Sequence, residues 1–337
     1  MNRRIIKIGL IGYGYWGPNL LRNLVGIPGI KVIACADLNE DHLKKIKQIM
    51  PEMILCRNYG RLLNHDLDAV VIATPPSTHF KIALDSLRAG LHVLVEKPLT
   101  TSYRDALILV KLAKKMKLVL MVDHVFIYSK PVSKLKELLE RKELGEIYYF
   151  DSTRINLGQF QNDANVLWDL ACHDLYILDY LLPEHPVSLS CIGESHTGNR
   201  QVDIAYMTLN YKSKLLAHIN VNWLAPTKVR RIIIGGSKKM VVYDEGNVEE
   251  KIKIYDKRVE AKGDLRKTVL INYRVGEVIS PFIPANEALQ HVCQYFISCI
   301  RRQSKPISDG WAGARVVKLL ELGERAMKTG KPVSIME

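Results

Sequence analysis

Three glycines set between two short apolar runs constrain this chain more than any other feature. The first run, Ile5-Ile6-Lys7-Ile8-Gly9-Leu10-Ile11, is short and rich in β-branched residues, the pattern of a buried strand. The turn Gly12-Tyr13-Gly14-Tyr15-Trp16-Gly17 follows. Residues 19–24 then place apolar side chains at helical spacing, and a second apolar run, residues 31–36, ends on Asp37.

Strand, Gly-x-Gly-x-x-Gly, helix, strand, acid is the order that holds a dinucleotide. Gly12 permits the tight turn, Gly14 admits a pyrophosphate to the backbone, and Gly17 lets the helix pack closely. The helix N-terminus offers free N–H groups and partial positive charge to phosphates. Asp37 lies 20 residues after Gly17, where its carboxylate can accept from the ribose hydroxyls. A glycine-rich turn without a ligand explains the spacing but leaves Asp37 a coincidence. A 2′-phosphate beside that carboxylate would be repelled, so NAD is favoured over NADP. Leu38-Asn39-Glu40 supply no arginine to rescue such a phosphate, although Lys44 and Lys45 lie farther along.

At 337 residues the chain suits two domains or one large one. No apolar run approaches the roughly 18 residues a membrane span needs. The basic start resembles a signal peptide only faintly, because Lys7 interrupts the run and no small-residue cleavage site follows. Six scattered cysteines (Cys35, Cys56, Cys172, Cys191, Cys293, Cys299) form no Cys-x-x-Cys, which fits the reducing cytoplasm and argues against a structural metal. The net charge of +13 is spread in short groups. It comes without a nucleic-acid-binding motif, whereas an anionic small substrate would gain from the field by steering.

Residues 1–123 alternate strand and helix and are read as an α/β domain with a parallel sheet. Ser77 or Thr78 is expected to cap a helix over 79–89. Ligands in such sheets bind beyond the carboxyl ends of the strands. The glycine turn (including Tyr15 and Trp16), Asp37, the stretch from Thr74 and Pro75 to His79, and Glu96-Lys97-Pro98 all land there. Residues 124–337 read as a second α/β domain. A helix is expected over 166–182, then alternating segments at 187–194, 203–211, 215–223, 229–235, 239–243 and 248–255 that imply a large, mostly antiparallel sheet. Helices over 285–302 and 313–328 close the chain.

A dehydrogenase needs a proton relay beside its hydride acceptor. Lys97 follows a buried strand at the sheet's carboxyl edge, where it can polarise a reacting oxygen or simply reach solvent. Asp169 and His173 stand four residues apart and share a helix face. They make a carboxylate–imidazole pair, two groups facing one ligand, or a plain hydrogen-bonded helix pair. Tyr128, Arg154, Asn156, Gln159, Asn162, Asp163 and Asn165 lie in or near a polar loop and suggest a substrate pocket. His124 lies near the cleft or, as the favoured reading, is a hydrogen-bonded residue of the domain junction.

Gly12–Gly17, Ala73-Thr74-Pro75-Pro76-x-x-His79, Glu96-Lys97-Pro98, Asp169-x-x-x-His173 and Lys305-Pro306-Ile307-Ser308-Asp309-Gly310 together resemble the Gfo/Idh/MocA oxidoreductases over nearly the whole chain. That resemblance implies a Rossmann domain followed by an α/β domain with an open sheet, whose outer face makes dimers or tetramers. It implies that Lys97 binds the reacting hydroxyl, that His173 is the general acid/base and that Asp169 holds sugar or imidazole. It also implies a last helix that packs back on the first domain, and it allows a cis Lys97–Pro98 peptide. Trp168 and Ala171 stand where family members often carry glycine. The Trp168–Asp174 stretch is similar to members that oxidise nucleotide-linked amino sugars, including acetamido-uronic acids, at C3.

The expectation is a cytoplasmic, homo-oligomeric, NAD-dependent sugar or nucleotide-sugar dehydrogenase without metal, membrane or nucleic-acid partners. An inositol, aldose or dihydrodiol dehydrogenase of the same family is the alternative, as is a dinucleotide-binding sensor without turnover.

Overall fold

A computed structural model describes residues 4–158, 164–198, 201–262 and 270–335. The chain forms two compact units. One comprises Met1–Tyr128 and Glu287–Lys318, the other Ser129–Asn286 and Leu319–Glu337. The first unit thus runs to Tyr128, past a division after residue 123, and takes in residues 287–318.

The first unit alternates β1 (Ile6–Ile11), α1 (Gly17–Val25), β2 (Ile30–Ala36), α2 (Glu40–Ile49), β3 (Ile54–Cys56), α3 (Tyr59–Leu62), β4 (Ala69–Ile72), α4 (Pro76–Arg88), β5 (His92–Glu96), α5 (Tyr103–Met116) and β6 (Leu120–Asp123). The strands form one parallel sheet in the order β3-β2-β1-β4-β5-β6. That order reverses between β1 and β4, the crevice where open α/β sheets bind ligands. Val70, Val71, Ile72, Val93, Leu94 and Val95 are fully buried, as central strands covered on both faces must be. The helix after β4 starts at Pro76, with Pro75 as its N-cap. Ser77 and Thr78 therefore lie in its first turn and do not cap it. Proline suits that first turn because its missing N–H has no helical acceptor there. The Thr78 hydroxyl instead donates to the Pro75 carbonyl and lies in hydrogen-bond contact with the Thr74 hydroxyl, both at 2.7 Å.

The second unit begins with α6 (Lys130–Glu140) and β7 (Ile147–Leu157). The expected single helix over 166–182 is a π-helical turn, Leu167–Ala171, running into α7 (Cys172–Leu181). Then come β8 (Ser188–Glu194), β9 (Ile204–Asn210), β10 (Leu216–Asn222), β11 (Leu224–Gly236), β12 (Met240–Asp244), β13 (Ile252–Lys262) and β14 (Leu270–Ile279). The chain closes with α8 (Ala288–Arg302), α9 (Gly310–Thr329) and β15 (Val333–Ser334). Nine strands make one sheet, ordered β14-β13-β12-β11-β7-β10-β9-β8-β15. Every pairing is antiparallel except β7 with β10.

Alternation is clear on this sheet. Ala205, Met207 and Leu209 of β9 and Ala217, Ile219 and Val221 of β10 are buried, while Ile192, Tyr206 and Leu216 on the opposite face are exposed. Residues of α9 through Lys318 belong to the first unit. There Gly310 and Gly313 lie close against Leu120, Val110, Val122 and Leu99, leaving no room for a Cβ. All six cysteines are free and buried. Among the described residues, no helix is long and apolar enough to cross a membrane.

Candidate active site

A cavity of about 610 Å³ opens at the carboxyl ends of β1, β2 and β4. Gly12, Gly14, Asp37, His42, Arg57 and Thr74 are among its walls. Gly12 has φ +96°, and a Cβ on it would overlap the Ala73 carbonyl. A Cβ on Gly17 would lie 2.5 Å from the Gly12 oxygen, so that glycine lets α1 sit directly on the turn. Gly14 differs from both, because a Cβ there meets no protein atom within 4 Å. The protein has no packing need for glycine at this position, yet a ligand phosphate approaching the backbone does.

Gly14→Ala is therefore expected to lower NAD affinity by about tenfold or more, roughly 1.4 kcal/mol. Its melting temperature should stay close to that of the parent protein. Calorimetric titration and thermal melting check both halves. A variant that binds NAD like the parent would show that the turn does not touch a pyrophosphate.

Asp37 is fixed at the end of β2. Its carboxylate accepts the Tyr13 N–H at 2.6 Å and the Asn39 N–H at 2.7 Å. His42 Nδ1 lies 3.2 Å from it. Asn39 in turn caps α2, accepting the Asp41 N–H at 2.9 Å. Sequence reasoning missed His42, Arg57 and Lys81 on this cavity. The signal available was β3: its pairing beside β2 brings residues 57–59 to the same sheet edge as Asp37. The two long cations are neutralised, Arg57 by Glu40 at 2.7 Å and Lys81 by Asp85 at 2.6 Å.

The other residues read as cofactor-binding take different places. Tyr15 and Trp16 are exposed and meet edge to face, ring centroids 5.3 Å apart. Pro75 lines the cavity beside Thr74. His79 is fully buried, with Nδ1 2.8 Å from the Pro98 carbonyl and Nε2 2.8 Å from the Thr74 carbonyl. It joins the loops after β4 and β5 from beneath. Glu96 is buried at the end of β5 and accepts the Lys97 N–H at 3.3 Å. Lys97 itself is half-buried, and the Lys97–Pro98 peptide is cis. His124, beyond β6, is buried; burial and the Lys97 charge both push its pKa well down, so it is neutral.

In the second unit, Asp169 belongs to the π-helical turn and His173 to the first turn of α7, both half-buried. Asp169 accepts the Trp223 indole N–H at 3.2 Å. Asn165 caps the turn, its side-chain oxygen accepting from the backbone N–H groups of Leu167 and Trp168 at 3.0 and 3.2 Å. Its amide nitrogen and the Trp168 indole both donate to one Glu324 oxygen, at 2.8 and 2.9 Å. These five side chains form the network around a π-turn, a feature frequent at functional sites. Asn165 is thus a cap, where the sequence suggested a pocket wall.

Two further pocket expectations meet other partners. The Arg154 guanidinium is buried and held by both Asp174 oxygens, at 2.7 and 3.0 Å. Tyr128 falls in the first unit, its hydroxyl 2.8 Å from Ser308 Oγ. Asn156 is half-buried on β7. Gln159, Asn162 and Asp163 lie outside the described residues.

Two family models match the chain. One, an oxidoreductase family with an NAD-binding Rossmann fold, covers residues 6–124; the other, the C-terminal alpha/beta domain of that oxidoreductase family, covers residues 136–335. The chain belongs to the Gfo/Idh/MocA oxidoreductase family. This oxidoreductase is 30% identical over 266 residues to the uncharacterized oxidoreductase YdgJ of Escherichia coli (strain K12), which covers 74% of either chain. It is 25% identical over 326 residues to the UDP-N-acetylglucosamine 3-dehydrogenase of Acidithiobacillus ferrooxidans, covering 93% of this chain and 94% of that one. Among solved structures, GenD2 from gentamicin A biosynthesis, in complex with NAD, superposes with a TM-score of 0.85 at 18% identity, covering 100% of this chain and 98% of that one. That last likeness is one of fold.

The residues present suit a dinucleotide. The turn offers an open approach at Gly14, and Asp37 is a fixed carboxylate on the same cavity.

Proposed function

We propose that this oxidoreductase oxidises a ring hydroxyl of a nucleotide-linked amino sugar, with NAD as hydride acceptor. The reaction type rests on one observation: Lys97 sits half-buried at the carboxyl end of β5, in the same sheet whose carboxyl edge carries Gly14 and Asp37. The near full-length similarity to a UDP-N-acetylglucosamine 3-dehydrogenase supports the substrate class. Bound NAD supplies the carbon that receives hydride.

The chain's own residues do the rest. Gly14 and the α1 N-terminus take the pyrophosphate, and Asp37 accepts from the ribose hydroxyls. That carboxylate disfavours a 2′-phosphate, and Arg57 is already paired with Glu40. Lys97 binds the substrate oxygen and lowers the pKa of its hydroxyl. His173 takes the proton, and Asp169, steadied by Trp223, holds sugar or imidazole. The net charge of +13 favours the approach of an anionic nucleotide sugar.

The test is a substrate panel read by NADH absorbance, with product mass measured in parallel. UDP-linked acetamido sugars and their uronates should turn over and lose two hydrogens. NADP should be a poorer acceptor by about tenfold or more. Turnover confined to inositols or free aldoses would replace this substrate class with the other.

A further inference from the structure

A second group of ionisable side chains sits at the carboxyl ends of β5 and β6, and the reaction above leaves it unused. Glu96 and Asp123 are register partners on these neighbouring parallel strands. Both are buried, at 9% and 3% exposure. Register partners on adjacent parallel strands point their side chains to the same face, so the two carboxyl groups lie side by side. An ionised carboxylate only accepts hydrogen bonds, so a direct hydrogen bond between the two requires a proton on one of them.

The surroundings account for a single proton. Two adjacent carboxylates in a buried site cannot both ionise cheaply. Burial pushes both carboxyl groups up, Asp123 to about 7, and the Asp123 charge raises Glu96 further. The opposing charge is Lys97, whose ammonium favours the ionised form of Glu96. Among the described residues, the remaining facing groups carry no cation. His124 beside Asp123 is held neutral by burial and by Lys97. Cys293 of α8, near both carboxyls, is a buried thiol pushed up by burial and by their charge. Tyr128, also within the field of Asp123, is a buried phenol spent on Ser308. Lys97 and the pair thus form a local unit of one positive and one negative charge.

We infer that Glu96 and Asp123 share one proton and act as a single negative charge that orients the Lys97 ammonium for the reacting oxygen. Asp123 is then a positioning residue working through Lys97. This second step rests on the role given to Lys97 above; the shared proton does not.

Infrared spectroscopy of the NAD-loaded protein separates the two. The parent protein at neutral pH should show the carbonyl stretch of one buried carboxylic acid, which disappears as pH rises. Asp123→Asn and Glu96→Gln should each lack it, because the amide replaces the protonated partner and leaves the other carboxylate ionised. In turnover, Asp123→Leu should lower kcat by about a hundredfold, the scale of a small misplacement of a reacting group, with the KM for NAD little changed. Asp123→Asn keeps a donor toward Glu96 and one negative charge, and should recover at least tenfold of that loss.

No carboxylic-acid band in the parent protein would overturn the shared proton, whatever the substrate proves to be. A band together with equal kcat losses for Asp123→Leu and Asp123→Asn would overturn the orienting role. If the parent protein showed the band but oxidised no sugar, the proposed reaction would fall and the acid pair would stand.

Discussion

Replacing Lys97 with methionine will reduce kcat by about a thousandfold, within the range that a positioned proton-handling group contributes. The dissociation constant for NAD should change by less than about twofold. Methionine keeps most of the length and apolar bulk of the lysine stem, so the half-buried side chain can still fill its place. What it removes is the charge proposed to lower the pKa of a bound hydroxyl. The cofactor contacts proposed for Gly14, Asp37 and Thr74 lie at β1, β2 and β4, not at β5, and should be untouched. Single-turnover measurement of NADH formation reads the chemical step, and calorimetric titration reads NAD binding. Full turnover in Lys97→Met would remove the lysine from the mechanism. Loss of NAD affinity in step with kcat would make it a cofactor ligand instead.

The Rossmann unit was legible because its determinants are local. Three glycines, an acid 20 residues on and runs such as Ala69–Ile72 and His92–Glu96 state strand, turn and edge without long-range information. The sheet order then follows from the few topologies such alternation allows. The departures come from contacts between residues far apart in sequence. The π-turn at Leu167–Ala171 depends on Asn165 and on partners as distant as Trp223 and Glu324. The spacing of Asp169 and His173 alone reads as ordinary α-helix. Tyr128 looks like a pocket residue until Ser308, 180 positions away, takes its hydroxyl. Glu96 was legible as part of a motif. Its pairing with Asp123 was not, because it needs the β5–β6 register.

Arg154 shows how such a long-range contact changes a residue's meaning. In the sequence it is a cation near a polar loop that suggests a substrate pocket; in the fold its guanidinium is spent on Asp174, in a bidentate pair with both partners almost fully buried. Removing one member of a buried pair leaves the other charge without its partner, at a cost of about 3–5 kcal/mol. Arg154→Met is therefore expected to destabilise the protein by about that amount, measured by urea unfolding. Replacing both, as Arg154→Met with Asp174→Leu, should cost much less than the sum of the single changes, since well-packed apolar side chains can substitute for such a pair. Asp174 directly follows His173, so the pair ties β7 to the first turn of α7 that carries the imidazole. Both single variants should accordingly lower kcat as well as stability. A substrate-binding arginine would behave differently: Arg154→Met would raise the KM for the sugar and leave the unfolding midpoint near that of the parent protein. The two outcomes separate cleanly, and the buried geometry of the guanidinium favours the first.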